Sequence, residues 1–275
     1  MTDRPHIVHI RPRTSWASLD LGEFWASREL MYFLTWKELM VRYKQTAIGV
    51  VWVVLQPVLT TVTFAVIFKE VVNFSSPSIP YPVLVLSGLL IWLFFSNAVM
   101  FASNSLTGCA DLVTKIYFPR LMMPLAPIFA GLVDLAVGLV VLVVALLIYG
   151  ISLSANIAAV PFFLVLAVCL AGGVGILTAA LNVRFRDVKF ALPFVLQIWM
   201  FASPIFYPMD ILSPRVKVAL SLNPMVGIVS GFRSAIFSEP FHWKVIMVST
   251  VMTLLILALG VTVFKKMEDS FADYI

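Results

Sequence analysis

The sequence predicts an all-α integral membrane protein of six transmembrane helices, and three observations carry that prediction. Six apolar stretches of roughly membrane length alternate with short linkers. Apolar residues make up 61% of the 275 residues and charged ones only 12%, against ~25% in soluble domains. Finally, 14 of the 19 Lys and Arg residues fall on one side of the alternating linkers, and positive-inside puts that side in the cytoplasm. An even number of crossings then places both termini there. The net charge of +5 is mostly this topology signal, which makes nucleic acid binding a poor reading of it.

Residues 1–19 are polar and proline-containing and read as an irregular cytoplasmic arm. Residues 20–45 read as an amphipathic interface helix. Asp20 and Glu23 have capping-box spacing, with Asp in place of Ser or Thr. Leu21, Phe24, Trp25, Tyr32, Trp36, Leu39 and Tyr43 then recur as a helical stripe, interrupted by Arg28. Glu29, Lys37, Glu38, Arg42 and Lys44 lie largely off the stripe. Such a helix suits the inner membrane surface.

The six spans of the transmembrane domain (46–275) are about Thr46–Phe68, Tyr81–Leu106, Met123–Tyr149, Ile157–Leu181, Phe190–Tyr207 and Trp243–Phe264. A helix needs ~20 apolar residues to cross ~30 Å of hydrocarbon, and the fifth stretch is the shortest at 18. The first run begins near Thr46 and is too long for the apolar core of a cleavable signal peptide. In the fourth span Ala167, Ala171, Gly175 and Ala179, with Gly172 and Gly173, offer a small-residue face for another helix. Asp134 falls well inside the third span. A lone intramembrane acid makes a poor proton relay, so a hydrogen-bonded structural acid is expected. Asn97 is likewise expected to bond across helices.

Two linkers have helical content of their own. Asp111–Phe118 reads as a short helix along the membrane, stopped by Pro119. Before the last span, Ser213–Pro214 and Asn223–Pro224 are helix starts, capping residues followed by proline at the first helical position. They predict short external helices at 214–222 and 224–238, either re-entrant over an exit or plain surface cover. Re-entrant backbone survives only when buried in protein or lining a cavity. Cys109 and Cys169 are unlikely disulfide partners, and three scattered histidines give no metal-site spacing.

Five segments together resemble one family: TWKELMVRYKQTAIGVVWVVLQP (35–57), DLVTKIYFPRLMMPLAP (111–127), LNVRFRDVKFALPF (181–194), ASPIFYP (202–208) and LNPMVGIVSGFRSAIF (222–237). They are similar to the membrane-spanning subunit of ABC-type polysaccharide and polyol-phosphate exporters, which move O-antigen, capsule or teichoic acid. The likeness runs from about Asp20, leaving the arm outside it. The resemblance implies a homodimer paired with two copies of a soluble ATPase, in the inner membrane of a bacterium. The chain carries no G-x-x-x-x-G-K-[ST] phosphate loop. ATP and Mg would therefore sit on the partner, with no cofactor and no catalytic residue here.

Residue by residue, the resemblance places ATPase coupling at Asp111, Lys115, Tyr117, Phe118, Pro119 and Arg120. Trp36, Lys37, Arg42, Tyr43, Lys44, Arg184 and Arg186 would form the interface gate and attract the diphosphate of a lipid-linked polymer. The external gate would hold Pro214, Asn223, Pro224 and Arg233. Rings at Trp92, Phe95, Phe101, Trp199, Phe201, Phe206 and Tyr207 would give sugars a sliding apolar path, although membrane-interface belts and lipid packing explain such aromatics too. A permease for drugs or lipids is the alternative, against which the aromatics and the YFPR and SPIFYP segments weigh. A membrane enzyme acting on lipid-linked sugars would need a D-x-D, an H-x-x-x-x-D or paired intramembrane acids and histidines, and a secondary transporter would need inverted repeats or several embedded charges; neither pattern is present.

Overall fold

The computed structural model describes residues 21–44, 51–72, 79–109, 118–152, 155–207 and 213–274, and its regular elements are all helical. The predicted arm and residues 111–117 of the predicted linker helix lie outside them. In chain order the α-helices are α1 (Leu21–Ala26), α2 (Arg28–Tyr43), α3 (Val51–Val72), α4 (Tyr81–Asn104), α5 (Met122–Ile148), α6 (Val160–Arg184), α7 (Val188–Phe201), α8 (Pro214–Ser221), α9 (Pro224–Phe237), α10 (Trp243–Glu268) and α11 (Phe271–Tyr274).

Among the described residues, four segments are long and apolar enough to cross a membrane: Tyr81–Asn104, Met122–Ile148, Asn156–Arg184 and Trp243–Glu268. These match the second, third, fourth and sixth predicted spans within a few residues. The other two differ from expectation. The apolar part of α3 is Val51–Ile67, and the fifth stretch is helical only over Val188–Phe201. Fourteen residues rise only ~21 Å, and from Ala202 to Tyr207 the chain turns instead of continuing the helix. Pro204 accounts for part of this, having no N–H to donate to the ladder.

The bundle is held by close helix crossings. α4 is the centre, burying residues all round its circumference from Val83 to Trp92 and leaving only an edge at Asn97 and Phe101 exposed beyond that, packed mainly against α5 and α6. Gly131 of α5 meets the Phe94 ring of α4, and Gly138 faces Leu90, which fixes α5 antiparallel to α4. α6 and α10 approach most closely: a Cβ on Gly173 would stand 2.7 Å from the Leu257 backbone nitrogen, and one on Gly260 would overlap the Gly173 carbonyl. Without a hydrophobic drive between helices in lipid, such dispersion contact must hold the pair together. The small-residue face read from the sequence is therefore the packing face. α5 ends in a Schellman motif around Gly150 (φ +66°), where Gly150 N–H bonds Leu147 O at 3.2 Å and Ile151 N–H bonds Leu146 O at 2.9 Å.

Asn104, Met122, Arg184 and Glu268 share one end of the bundle, called the basic end below because Arg184, Lys265 and Lys266 lie there. Tyr81, Tyr149 and Trp243 share the far end. α9 lies among the far-end halves of α4, α6 and α10 and is buried from Pro224 to Ile236 apart from Ser230. That is the burial re-entrant backbone requires.

Two neighbouring glycines make a test of this packing. Gly173→Ala puts a methyl into the α10 backbone and should cost ~1–3 kcal/mol, read as a lower Tm of the purified protein. Gly172→Ala meets only Leu257 Cδ1 at 3.7 Å and should leave Tm unchanged or raise it, since alanine favours helix by up to ~1 kcal/mol.

Candidate functional site

The far-end seam is built from polar side chains answering irregular backbone. Arg233 is buried in α9, and its guanidinium donates to Leu84 O of α4 at 2.8 Å, Pro204 O at 2.5 Å, Ile205 O at 2.7 Å and Ser87 Oγ at 3.3 Å. Three of these acceptors are carbonyls, and two of them lie in the turn that interrupts the fifth stretch. Gly88 makes room: a Cβ there would be 2.7 Å from Arg233 Nη2 and 3.2 Å from Ile205 Cα. Asn223 works one step along the same turn. Its amide nitrogen donates to Ala202 O at 3.1 Å and Ser203 Oγ at 3.0 Å. Its oxygen accepts from Met225 N–H at 3.0 Å, capping α9, and from Trp199 Nε1 at 2.8 Å. Tyr81 hydroxyl closes the set on Phe206 O at 2.9 Å. Ser213, read as a second side-chain cap, makes no such bond; its carbonyl accepts from Lys217 N–H at 3.0 Å instead.

A second constellation joins α2 to α5. Arg42 Nη1 donates to Asp134 Oδ2 at 2.9 Å and Nη2 to Pro127 O at 3.2 Å, while Tyr43 hydroxyl donates to Asp134 Oδ1. The side chains of Arg42 and Asp134 are 11% and 22% exposed. The guanidinium lies over the Phe101 ring, 4.0 Å from its centroid. Burial, with the Asp134 carboxylate beside it, holds the Tyr43 phenol above its usual range, so it donates as a neutral hydroxyl. Asp134 stands twelve residues after Met122, the first residue of α5, or ~18 Å along the axis. It is the hydrogen-bonded acid expected from the sequence. Its partner is Arg42, read from the sequence as a cation of the interface gate; the fold adds the pairing with Asp134.

That pairing also revises how α2 lies. Leu34 packs with Met122, Met123 and Ala126 near the start of α5, while Arg42 reaches Pro127 and Asp134 further along. The helix therefore climbs beside α5 instead of lying flat across the bundle's end. Its protein-facing edge is Leu30, Met31 and Leu34, and Trp25, Tyr32, Phe33 and Trp36 point outward, with Tyr32 and Trp36 stacked 6.4 Å apart. Of the sequence stripe, Trp25, Tyr32 and Trp36 lie outward, while Tyr43 turns inward to Asp134, and the buried Leu34 was not part of it.

At the basic end, Lys37 Nζ donates to Cys109 Sγ at 3.2 Å. Phe118 is buried, and Arg120 Nη1 donates to the Glu268 carbonyl at the end of α10. Pro119 is half-buried, whereas Lys44, Arg184 and Arg186 are exposed. Asp111, Lys115 and Tyr117 lie outside the described residues. Asn182, at the end of α6, donates to Ser103 O of α4 at 2.9 Å and to Asn104 Oδ1 at 3.4 Å. This is the cross-helix amide bond expected of Asn97, which is exposed and makes no side-chain hydrogen bond to a described residue.

The candidate path aromatics divide by burial. Trp92, Phe95 and Phe206 are buried, with Phe95 edge-on to the half-buried Trp199 at 5.1 Å and Phe206 stacked on Phe64 at 3.8 Å. In this conformation those three contribute through packing. Phe101 and Phe201 keep about half their surface, and Tyr207 is half-buried. Pro214 opens α8 and Pro224 opens α9 at the first helical position, as expected. Ser87, Gly88 and Ser203 were missed; each is small or mildly polar, and nothing in local pattern marks a residue whose partner is distant.

Two sets of variants test these networks. Arg42→Met leaves the partly buried Asp134 carboxylate with the Tyr43 hydroxyl but no cation, and should cost ~1–3 kcal/mol. The pair Arg42→Met with Asp134→Leu should recover much of that loss, seen as a non-additive change in Tm. Arg233→Lys keeps the charge but cannot reach acceptors on both α4 and the 202–207 turn; leaving buried carbonyls unpaired costs ~1–3 kcal/mol each, measured as lost Tm and faster labelling of a cysteine placed at Ile205.

Comparison with known proteins bears on the whole chain. The family model described as ABC-2 type transporter matches residues 29–237. The O-antigen export system permease protein RfbA of Myxococcus xanthus is 25% identical over 256 residues, covering 92% of this chain and 98% of that protein. The protein of the same name from Klebsiella pneumoniae is 25% identical over 246 residues, covering 89% and 94%. The polysialic acid transport protein KpsM of Escherichia coli is 23% identical over 243 residues, covering 85% and 92%. These relatives are permeases and transport proteins, not enzymes. With a multi-helix apolar bundle and a family match spanning α2 through α9, this chain belongs to the ABC-2 type transporter family.

Proposed function

We propose that this chain is the membrane-spanning subunit of an ATP-driven exporter that moves a polysaccharide on a lipid diphosphate anchor across the cytoplasmic membrane. The observation that carries the reading is the similarity to O-antigen and polysialic acid permeases over 85–92% of the chain. Two copies would pair with two copies of a separate ATPase carrying ATP and Mg. The polymer would be an O-antigen, a capsular polysaccharide or a teichoic acid.

In this reading the basic end faces the cytoplasm, and α3 and the segment Val188–Tyr207 complete six crossings. The fifth crossing is part helix and part turn, its backbone groups answered by Arg233, Asn223 and Tyr81. α2 is the gate through which the lipid-linked end enters. Arg184 and Arg186 are among the exposed cations at that end, each worth ~1 kcal/mol toward anionic headgroups or a diphosphate, and the exposed Lys44 follows at the upper end of the gate helix. Arg42 acts differently, tethering the gate helix to α5 through Asp134. The linker 111–120 meets the ATPase, and α8 and α9 stand at the exit.

Purifying the tagged chain from its host in mild detergent tests the reading. A soluble ATPase with a phosphate loop should co-purify in equal stoichiometry. Substitutions across 111–120, Pro119 and Arg120 included, should lower polymer export tenfold or more while membrane insertion persists. Absence of any ATPase under several mild conditions removes the energy source and sinks the proposal.

A further inference from the structure

The last turn of α10 and the short helix α11 grip the chain where it leaves the linker. Glu268 is the final residue of α10, and Arg120 donates to its carbonyl, where a cation at a helix C-terminus meets a favourable dipole. Two residues before Arg120, Phe118 is buried in the same cluster as Leu34 of α2, Leu106 beyond α4, Met122 and Met123 of α5, and Phe264 and Phe271. Phe271 is fully buried and meets the Phe264 ring edge-on, centroids 5.1 Å apart at 78°. One cluster thus joins the linker's exit to α2, α5, α6 and both C-terminal helices. On the entry side Cys109 is tied to α2 through Lys37.

Accepting the coupling role proposed above for the linker, we propose that Phe271 is a positioning residue for coupling: it fills the cluster that holds Phe118, so that displacement of the linker moves α2 and α10 together. A packed interior transmits displacement because it has low compressibility, whereas a void lets one element shift alone. Deleting the ring of Phe271 leaves such a void in the cluster, beside Phe264. The linker keeps its own residues toward the partner, but its motion is absorbed locally.

The test uses the full complex with its partner ATPase, measuring ATP hydrolysis, polymer exported per ATP, and complex stability in detergent. Phe271→Ala should leave the complex assembled and hydrolysis within about twofold of the parent, while export per ATP falls tenfold or more. Phe271→Leu, which refills most of the space, should restore the ratio. Unchanged export per ATP in Phe271→Ala overturns the inference. So does a loss of assembly that follows hydrolysis and export down together and that Phe271→Leu does not rescue, because the ring would then be only a folding element. Alanine substitutions across 111–117 form the control. If those lower export and Phe271→Ala does not, only the clamp fails; if those too leave export unchanged, the coupling reading itself falls and the clamp with it.

Discussion

The guanidinium of Arg233 is the interaction on which the far half of the bundle depends. Irregular backbone among apolar helices must have its carbonyls answered from within the protein. Between Ala202 and Tyr207 the chain has left the helical ladder, and Arg233 and Asn223 supply much of what that ladder no longer does. Because the same guanidinium also holds Leu84 O, it fixes the turn against α4 and draws α9 inward. Charge is incidental to this role; what matters is a rigid fork of donors that can serve three carbonyls at once. The glycine at 88 is the counterpart, since any side chain there would occupy the guanidinium's place.

A comparable economy governs the other half. Asp134 is expensive inside an apolar helix, and Arg42 and Tyr43 meet it from outside the main bundle. The pair gives α2 a specific height and rotation along α5, which aliphatic contact alone would leave less defined. Leu34 sets the lower end of that alignment and Arg42 the upper. The interface helix thereby belongs to the protein's packing on one edge while its outward edge carries exposed aromatics.

Both halves meet in helices that pack too tightly to slide freely. The crossing of α6 and α10 at Gly173 and Gly260 leaves no slack, and Asn182 pins the end of α6 to α4. Movement of such a bundle proceeds by whole elements changing partners, not by gradual deformation. Among the described residues, polar joints between elements include the α2–α5 ion pair, the bond from Lys37 to Cys109 and the bond from Arg120 to the end of α10.

Sequence alone determined the helical class, four long spans to within a few residues, both short far-end helices and the asymmetry of positive charge. These are properties of composition and of period along the chain, set by the length needed to cross hydrocarbon and by caps that act within a turn. The motifs that suggested the family also read through, because they are contiguous. Only the tertiary structure decided that the fifth stretch ends its helix at Phe201, that Arg42 pairs with Asp134, and that Trp92, Phe95 and Phe206 are core. The partners in each case lie far apart in sequence, 92 positions for Arg42 and Asp134 and 149 for Arg233 and Leu84. A buried polar group takes whichever donor or acceptor the packing brings within reach, and periodicity along one segment carries no information about which that will be.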